Sequence, residues 1–149
     1  QENKDTAQVI QAMWKENLGV QTEIVTYEDK VYWDEHAAGN FDVAYDGWTG
    51  DYLDPDTNLN CFTQARAYNQ NRWSGDNAMK YDSMIEECRN LADNSKRMEI
   101  FKEAEAILMD EMPIIPLYYL NAIVLAKPDV TGLVKNANGH TLFRNADKL

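Results

Sequence analysis

The sequence predicts an α/β domain in which helices and strands alternate near the amino terminus. Residues 6–18 carry apolar side chains at helical spacing, and residues 20–27 alternate and are rich in Val, Ile and Thr. A second helix over residues 28–38 and a short alternating strand over residues 41–45 follow. Short connections between these elements are typical of a βαβ unit, so we expect two parallel strands joined by a right-handed crossover.

The middle of the chain predicts a long loop followed by two helices. Residues 53–75 contain Pro, Asn, Ser and Gly throughout, and loops of this length inside a domain tend to be functional. One helix is predicted over residues 76–92, and a second runs to about Met109 after a cap at Asn94 or Ser95. The side chains predicted to face the core are Tyr81, Ile85, Cys88 and Leu91 in the first helix and Met98, Phe101, Ala104 and Leu108 in the second.

The last third of the chain changes from apolar to polar. Pro113 ends the preceding helix, and the apolar run over residues 114–126 predicts one or two strands. Residues 131–149 are polar and contain glycine, with a weak strand at residues 141–144. We therefore divide the chain into a domain over residues 1–130 and a carboxyl-terminal tail.

Composition limits the classes of partner. The chain has 149 residues, of which 44% are hydrophobic, which suffices for one domain with a core. Its net charge of −11 opposes binding to nucleic-acid phosphates and anionic lipids, and serves either solubility or the attraction of cationic groups. No stretch is as long and apolar as a membrane-spanning helix. There is no signal peptide and no initiator Met, so we expect these residues to be a piece of a longer protein.

The two cysteines leave two alternatives open. Cys61 and Cys88 are too few for a disulfide framework, but they could form one bridge in an oxidising compartment. Cys88 falls on the apolar face of its predicted helix, where a free buried thiol is equally compatible with the pattern. A zinc site is not expected, because it needs about four ligands and the two His are far apart in sequence.

An acidic segment follows the second predicted strand. In parallel sheets, ligands bind beyond the carboxyl ends of the strands. The strand is predicted to end at about Asp46, so residues 47–56 stand where a ligand is expected.

Part of this segment begins like a calcium-binding loop but does not complete one. Leu59 stands where the loop requires a turn glycine, and Ala65 stands where it requires a bidentate glutamate. The alternative for Asp54 and Asp56 is an Asx-type turn in which Pro55 fixes the backbone. We therefore predict no metal site.

Asp51 is harder to explain as a turn residue. It lies between Trp48 and Tyr52 and follows two small residues. A carboxylate beside aromatic walls is partly desolvated and then needs a cation or hydrogen-bond donors, which a ligand ammonium would provide. Pairing with another part of the protein is the structural alternative.

Enzyme chemistry finds no support in the sequence. There is no G-x-S-x-G elbow, no H-E-x-x-H and no phosphate loop. His36 is predicted in mid-helix and His140 in the tail, without a Ser or Cys nearby, so each is expected at the surface. No catalytic residue and no cofactor is predicted. Most aromatic side chains are expected in the core, and two or three to line a cleft, where Trp and Tyr suit binding of varied ligands.

The order of several short motifs resembles a known family, the extracellular solute-binding proteins that feed oligopeptide and dipeptide ABC transporters. The segment Trp-x-x-Asp-Tyr-x-Asp-Pro, from Trp48 to Pro55, is its most specific element. The similar segments around it are Trp14-Lys15-Glu16-Asn17-Leu18-Gly19-Val20, Gly39-Asn40-Phe41-Asp42-Val43-Ala44 and Met112-Pro113-Ile114-Ile115-Pro116-Leu117-Tyr118-Tyr119.

The resemblance implies a fold and a set of ligand contacts. The fold is the carboxyl-terminal lobe of a periplasmic-binding-protein type II clamshell, with a mixed sheet flanked by helices. The aspartate matching Asp51 pairs with the α-amino group of a bound peptide, and backbone groups near the matches of Gly47 and Thr49 hydrogen-bond to its backbone. Some family members hold the peptide's carboxylate with basic residues at positions that are His36 and Tyr45 here. The residues assigned to peptide binding are Asp51, Trp48, Thr49, Gly47, Tyr52, Trp33 and His36.

The resemblance also implies partners and a location. The intact protein is expected to bind short peptides between two lobes at the periplasmic or extracellular face of a bacterial membrane, and to deliver them to permease subunits. It would contact the membrane only through a lipid anchor outside these residues, and it would bind no nucleic acid. The tail over residues 131–149 is expected to pack on the first lobe, and to be disordered or exposed without it. The alternatives are a binder of a sugar or metal complex and, much less favoured, a carboxylate-dependent hydrolase.

Overall fold

The computed structural model describes residues 2–65, 72–121 and 123–149. The chain forms two compact units, Gln1–Gly47 and Trp48–Leu149, and each is described by itself. None of the described helices is both long enough and apolar enough to cross a membrane.

The first unit contains two helices at the places that the sequence predicts. Helix α1 spans Glu2–Leu18, four residues longer at its start than the prediction, and helix α2 spans Asp29–Ala38. Both end where a glycine takes the left-handed conformation, Gly19 with φ 70° and Gly39 with φ 73°. Glycine adopts this conformation without a Cβ clash, and the N–H of Gly39 then bonds to carbonyls of the last turn of α2.

The two strands predicted in this unit are wrong. Residues 20–27 and 41–45 form no strand in the structure, so the expected βαβ unit is absent from the described residues. Their alternating apolar side chains suit a pleated surface, but a strand exists only where its backbone groups find a partner strand. Here several of the apolar side chains stay exposed, namely those of Val20, Val25, Tyr27 and Val43.

The core of the second unit is a hairpin of two predicted helices. Helix α4 spans Asp76–Asn90 and helix α5 spans Asn94–Glu111. Each large side chain buried between them contributes about 1.5–3 kcal/mol by leaving water. The fully or nearly fully buried side chains are Ala78, Tyr81, Ile85, Cys88, Phe101, Ala104 and Leu108, with Trp73 at the edge. Seven of the eight predicted core positions are thus buried or packed against this core, and Leu91 is partly buried.

Both ends of α5 have identifiable stops. Its amino-terminal cap is Asp93 rather than Asn94 or Ser95, because the Asp93 carboxylate accepts hydrogen bonds from two backbone N–H groups of the first turn at 3.1 and 3.3 Å. At the other end Met112 takes the left-handed conformation with φ 50°, and Pro113 follows it.

A short helix lies inside the predicted loop. Helix α3 spans Asp56–Leu59, and a 3-10 turn over Asn60–Phe62 follows it. The hydroxyl of the buried Tyr81 donates a hydrogen bond of 2.5 Å to the carbonyl of Leu59, which ties this segment to α4. The loop prediction is therefore wrong at these residues, and its part over residues 66–71 lies outside the described residues.

The apolar run at residues 114–126 forms no strand among its described residues, so that prediction is also wrong. Residue 122 lies outside the described part. Several large side chains of the run at residues 114–126 are almost fully exposed, including those of Tyr119, Ile123 and Leu125. As in the two segments of the first unit predicted as strands, residues that favour strands are present here, but their backbone pairs with no other strand among the described residues.

The tail, which is expected to be disordered or exposed without the first lobe, forms two short antiparallel strand pairs and most of its side chains are exposed. Strand β1 (Val130–Thr131) pairs with β4 (Asp147–Lys148), and β2 (Val134–Lys135) pairs with β3 (Thr141–Leu142). The weak strand predicted at residues 141–144 corresponds to β3.

Candidate functional site

The acidic segment of the second unit makes the predicted Asx turn. The Oδ1 atom of Asp54 accepts a hydrogen bond of 2.9 Å from the backbone N–H of Asp56. Pro55, between them, has φ −56° and ψ −29° and stands directly before α3. Proline presets this φ, so the turn passes directly into the helix.

Asp54 is also held by an arginine of α5. Two nitrogens of the Arg97 guanidinium lie 2.5 and 2.7 Å from the two carboxylate oxygens of Asp54, which makes a bidentate pair. The Nε of Arg97 donates to the carbonyl of Cys88 at 2.9 Å, and its guanidinium lies 4.8 Å from the centroid of the Phe101 ring. Hydrogen bonds from Arg97 hold the pKa of Asp54 below its ordinary value.

Asp56 is buried and has three side-chain donors. Tyr52 donates its hydroxyl at 2.6 Å, Asn60 its amide at 2.9 Å and Arg89 of α4 its Nε at 3.1 Å. Burial acts to raise the pKa of Asp56, but these donors and the Arg89 charge outweigh it, so that the pKa lies below its ordinary value. The same bond to the Asp56 carboxylate raises the pKa of Tyr52.

Asp51 differs from both. Its backbone N–H donates to Thr57 Oγ1 at 2.9 Å and its carbonyl accepts from Asn138 at 3.4 Å, but its side chain is exposed. Its carboxylate has no cationic partner among the described residues of the second unit. The polar ends of Trp48 and Tyr52 are directed to α3, and the desolvation of Asp51 by these rings stays a prediction.

Trp48 and Tyr52 hold residues 48–52 against α3 through hydrogen bonds, and their rings are partly exposed. The indole Nε1 of Trp48 donates to the carbonyl of Thr57 at 2.9 Å. Between them, a Cβ at Gly50 would lie 3.0 Å from the Thr57 methyl group, so this backbone approaches α3 closely. Thr49 is exposed. The structure thus brings Trp48, Asp51 and Tyr52 onto one short segment seated on α3.

The remaining predicted site residues belong to the first unit. His36 is buried rather than at the surface, and its ring stacks on Phe41 at 5.0 Å and lies near the rings of Tyr32 and Trp33. Trp33 is itself half exposed. Gly47 is exposed at the end of this unit. His140, in the tail, is exposed as expected.

An open groove of about 690 Å³ lies between this segment and α5. It is lined from the segment and α3 by Gly50, Tyr52, Leu53, Asp54, Pro55, Thr57, Asn58 and Leu59, from α5 by Met98, Phe101, Lys102 and Glu105, and from the tail by Ala137 and Asn138. In the described part of the chain, no three His, Cys, Asp or Glu side chains are grouped so that they could hold a metal ion. Cys61 and Cys88 are both buried and are not joined in a disulfide, so the thiol alternative is the one observed.

The two arginines are the residues that sequence reasoning misses. Arg97 is 43 positions from Asp54 and Arg89 is 33 positions from Asp56. The only signal in the sequence is that basic residues occur near the facing ends of the two helices, and this does not identify their partners.

Comparisons with known proteins give one family. Residues 1–70 match the family model of bacterial extracellular solute-binding proteins, family 5 Middle. The chain is 32% identical over 94% of its length to the oligopeptide-binding protein OppA of Bacillus subtilis, and 33% identical over 87% to the probable deoxycholate-binding periplasmic protein YgiS of Escherichia coli. These alignments cover 25% and 24% of the two relatives, so the chain spans about a quarter of their length.

A solved structure agrees with the fold. The unliganded open form of the periplasmic murein tripeptide binding protein MppA superposes with a TM-score of 0.67 and 34% identity, covering 72% of this chain and 20% of that one. The predicted α/β class of a periplasmic binding protein is thereby confirmed.

Proposed function

Because this chain belongs to the bacterial extracellular solute-binding proteins, family 5, we propose that it forms part of the peptide-binding component of an ABC importer. Its family is one of binding proteins and not of enzymes. In this proposal the intact protein binds short peptides between two lobes outside the cell membrane and delivers them to the permease. A lipid anchor remains a prediction.

One observation carries the peptide assignment: of the three aspartates at positions 51, 54 and 56, Asp51 is the one whose carboxylate has no cationic partner among the described residues. Asp54 and Asp56 occur in the same short segment, and each pairs with an arginine. Asp51 is exposed on that segment and is held there by its backbone bond to Thr57. A free peptide carries an ammonium group at its amino terminus, which is the cation that this carboxylate would bind.

The other residues of the site have supporting roles in the proposal. The rings of Trp48 and Tyr52 offer rigid contact area, and the exposed backbone near Gly47 and Thr49 offers hydrogen bonds in the manner of an added strand. Trp33 and His36, both in the first unit, remain predicted peptide contacts. Residues 1–130 would belong to the second lobe, and the tail over residues 131–149 would dock on the first lobe.

A titration of the complete gene product tests the proposal. We expect trialanine to bind at least about tenfold more tightly than N-acetyl-trialanine, since a charge-assisted contact contributes about 1.5–3 kcal/mol. Asp51→Asn should remove this preference. Asp110→Asn, an exposed aspartate on α5, makes the same charge change away from the segment and should leave it intact. Equal binding of free and acetylated peptide by the unaltered protein would refute the role of Asp51.

A second candidate is a ligand without an ammonium group, as the deoxycholate in the name of YgiS suggests. An exposed carboxylate and a net charge of −11 disfavour an anionic ligand at this segment. If this candidate were correct, Asp51→Asn would leave affinity for the true ligand unchanged or raise it.

A further inference from the structure

We propose that Arg97 and Arg89 are positioning residues for ligand binding: through Asp54 and Asp56 they fix the segment that carries Asp51. The inference rests on the proposed function, because it concerns how that function's ammonium anchor is held in place.

The contact between Arg97 and Asp54 is geometrically restrictive. Both carboxylate oxygens are engaged by the guanidinium, and the two side chains are only 18% and 26% exposed. A planar fork on a carboxylate fixes orientation as well as distance, which a lysine ammonium cannot do. Since Asp54 Oδ1 also closes the Asx turn, the orientation of this carboxylate sets the direction of the backbone into α3.

The second contact comes from the other helix. Arg89 lies in the last turn of α4 and donates to Asp56 in the first turn of α3. Arg97, in the first turn of α5, donates its Nε to the carbonyl of Cys88, the residue that precedes Arg89 on α4, so both arginines lie at the closed end of the hairpin. Buried side chains hold this hairpin together, which makes it a rigid base for a binding segment.

Helix α3 transmits this constraint to the candidate site. It has only four residues, and an isolated single turn is unstable because nucleation costs more than its few bonds return. The bonds from Arg97 to Asp54 and from Arg89 to Asp56 hold the start of this helix against the hairpin, together with the bond from Tyr81 to Leu59. Thr57 on α3 then accepts the backbone N–H of Asp51 at its hydroxyl and the indole N–H of Trp48 at its carbonyl.

The arginines also separate the roles of the three aspartates. Unpaired, Asp54 and Asp56 would place two further negative charges within five residues of Asp51 and could attract a ligand ammonium to the wrong place. With both neutralised by arginine, Asp51 is the carboxylate of this segment that remains available for a ligand cation.

The test measures affinity of the complete gene product for trialanine. Arg97→Met should weaken binding by about two- to thirtyfold, the range expected for residues that couple to a site without touching the ligand. Arg97→Lys keeps the charge without the fork and should restore only part of the loss. Lys96→Met is the matched control, since Lys96 is the neighbouring basic residue on α5 and pairs with the exposed Asp93. It should bind like the unaltered protein.

Hydrogen exchange separates positioning from general unfolding. In Arg97→Met, we expect faster exchange at the amides of residues 48–58 and unchanged exchange in the cores of α4 and α5. Faster exchange throughout the hairpin would assign Arg97 a merely structural role and overturn the inference. The Arg97→Lys variant provides the same comparison if Arg97→Met does not fold.

A double-mutant cycle with Asp51→Asn distinguishes failure of the proposed function from failure of the positioning inference. If Asp51→Asn alone does not weaken trialanine binding, the proposed function fails and the inference fails with it. If Asp51→Asn weakens binding but Arg97→Met does not, only the positioning inference fails. If both substitutions weaken binding, the inference requires that Arg97→Met lowers the affinity for trialanine little further when Asp51→Asn is already present. Fully additive losses of binding free energy would overturn the inference.

Discussion

Replacing Tyr52 with Phe separates the two roles of this side chain. The hydroxyl lies 2.6 Å from Asp56 Oδ2, and the substitution removes this bond while leaving the ring. A hydrogen bond to a charged group contributes about 1.5–3 kcal/mol, but Tyr52 is 46% exposed and water can replace part of the contact. We therefore expect a loss of about 1 kcal/mol in the free energy of unfolding, since Asn60 and Arg89 still bond to Asp56.

This loss should depend on pH in a defined direction. The pKa of Asp56 lies below its ordinary value in the folded protein, so the stabilisation from its ionised form is present above the unfolded pKa of about 3.9. It disappears as the pH falls through the folded pKa, where the carboxylate takes up a proton. The difference between Tyr52→Phe and the unaltered protein should therefore be largest near neutral pH and shrink below about pH 4.

Urea unfolding at pH 7 and at pH 3 measures both quantities. Tyr119→Phe is the matched control, because Tyr119 is 96% exposed and the change should be silent at either pH. Affinity for trialanine should stay within about twofold in Tyr52→Phe, since the ring remains, and should fall in Tyr52→Ala. An equal loss of stability at both pH values would refute the role assigned to the bond between Tyr52 and Asp56.

Three further predictions concern the second unit. Leu108→Ala should cost about 2–5 kcal/mol in urea unfolding because Leu108 is fully buried, whereas the exposed Met79→Ala should cost less than about 1 kcal/mol; similar losses would contradict the described core. Gly132→Ala should disorder the tail strands, because Gly132 has φ 72° and a Cβ there would clash with the backbone carbonyl of Asn145. Amide exchange should become fast in the tail but not in the helices, and an unchanged tail would count against this conformation of Gly132. Cys61 and Cys88 should be unreactive to a thiol reagent in the native chain, because both are buried. In denaturant without reductant, two thiols per chain should react, and no reaction would indicate a disulfide.

The helices could be predicted from the sequence because a helix satisfies its own backbone and needs only one apolar face. The spacing of Tyr81, Ile85 and Cys88 indicates that face directly, and all three are fully buried. The strands could not be predicted in the same way. The segments that contain Val25 and Val43 have the residue pattern of half-buried strands, but these side chains are exposed. A strand forms only when another segment pairs with it, and the sequence of one segment does not show whether such a partner exists.

In the candidate site, too, the local contacts could be predicted from the sequence and the long-range contacts could not. The Asx turn at Asp54 could be predicted, because its bond joins residues two positions apart. The arginine partners could not, because each bond spans more than thirty residues and depends on how α3 rests on the hairpin. Without Arg97 and Arg89, charge does not distinguish the three aspartates. The sequence then singles out Asp51 only by its aromatic neighbours and by the family resemblance.

The exposure of Asp51 has a consequence for the 149-residue chain on its own. An ion pair that forms in water contributes only about 0–1 kcal/mol, whereas association costs about 4 kcal/mol or more in lost translation and rotation. A carboxylate this exposed can hold an ammonium strongly only when the ligand is enclosed and water is excluded from the contact. We therefore expect calorimetry to detect no trialanine binding by the isolated chain at millimolar peptide, while the complete gene product binds it. Tight binding by the isolated chain would show that these residues already enclose the ligand, and would refute the requirement of Asp51 for a second lobe.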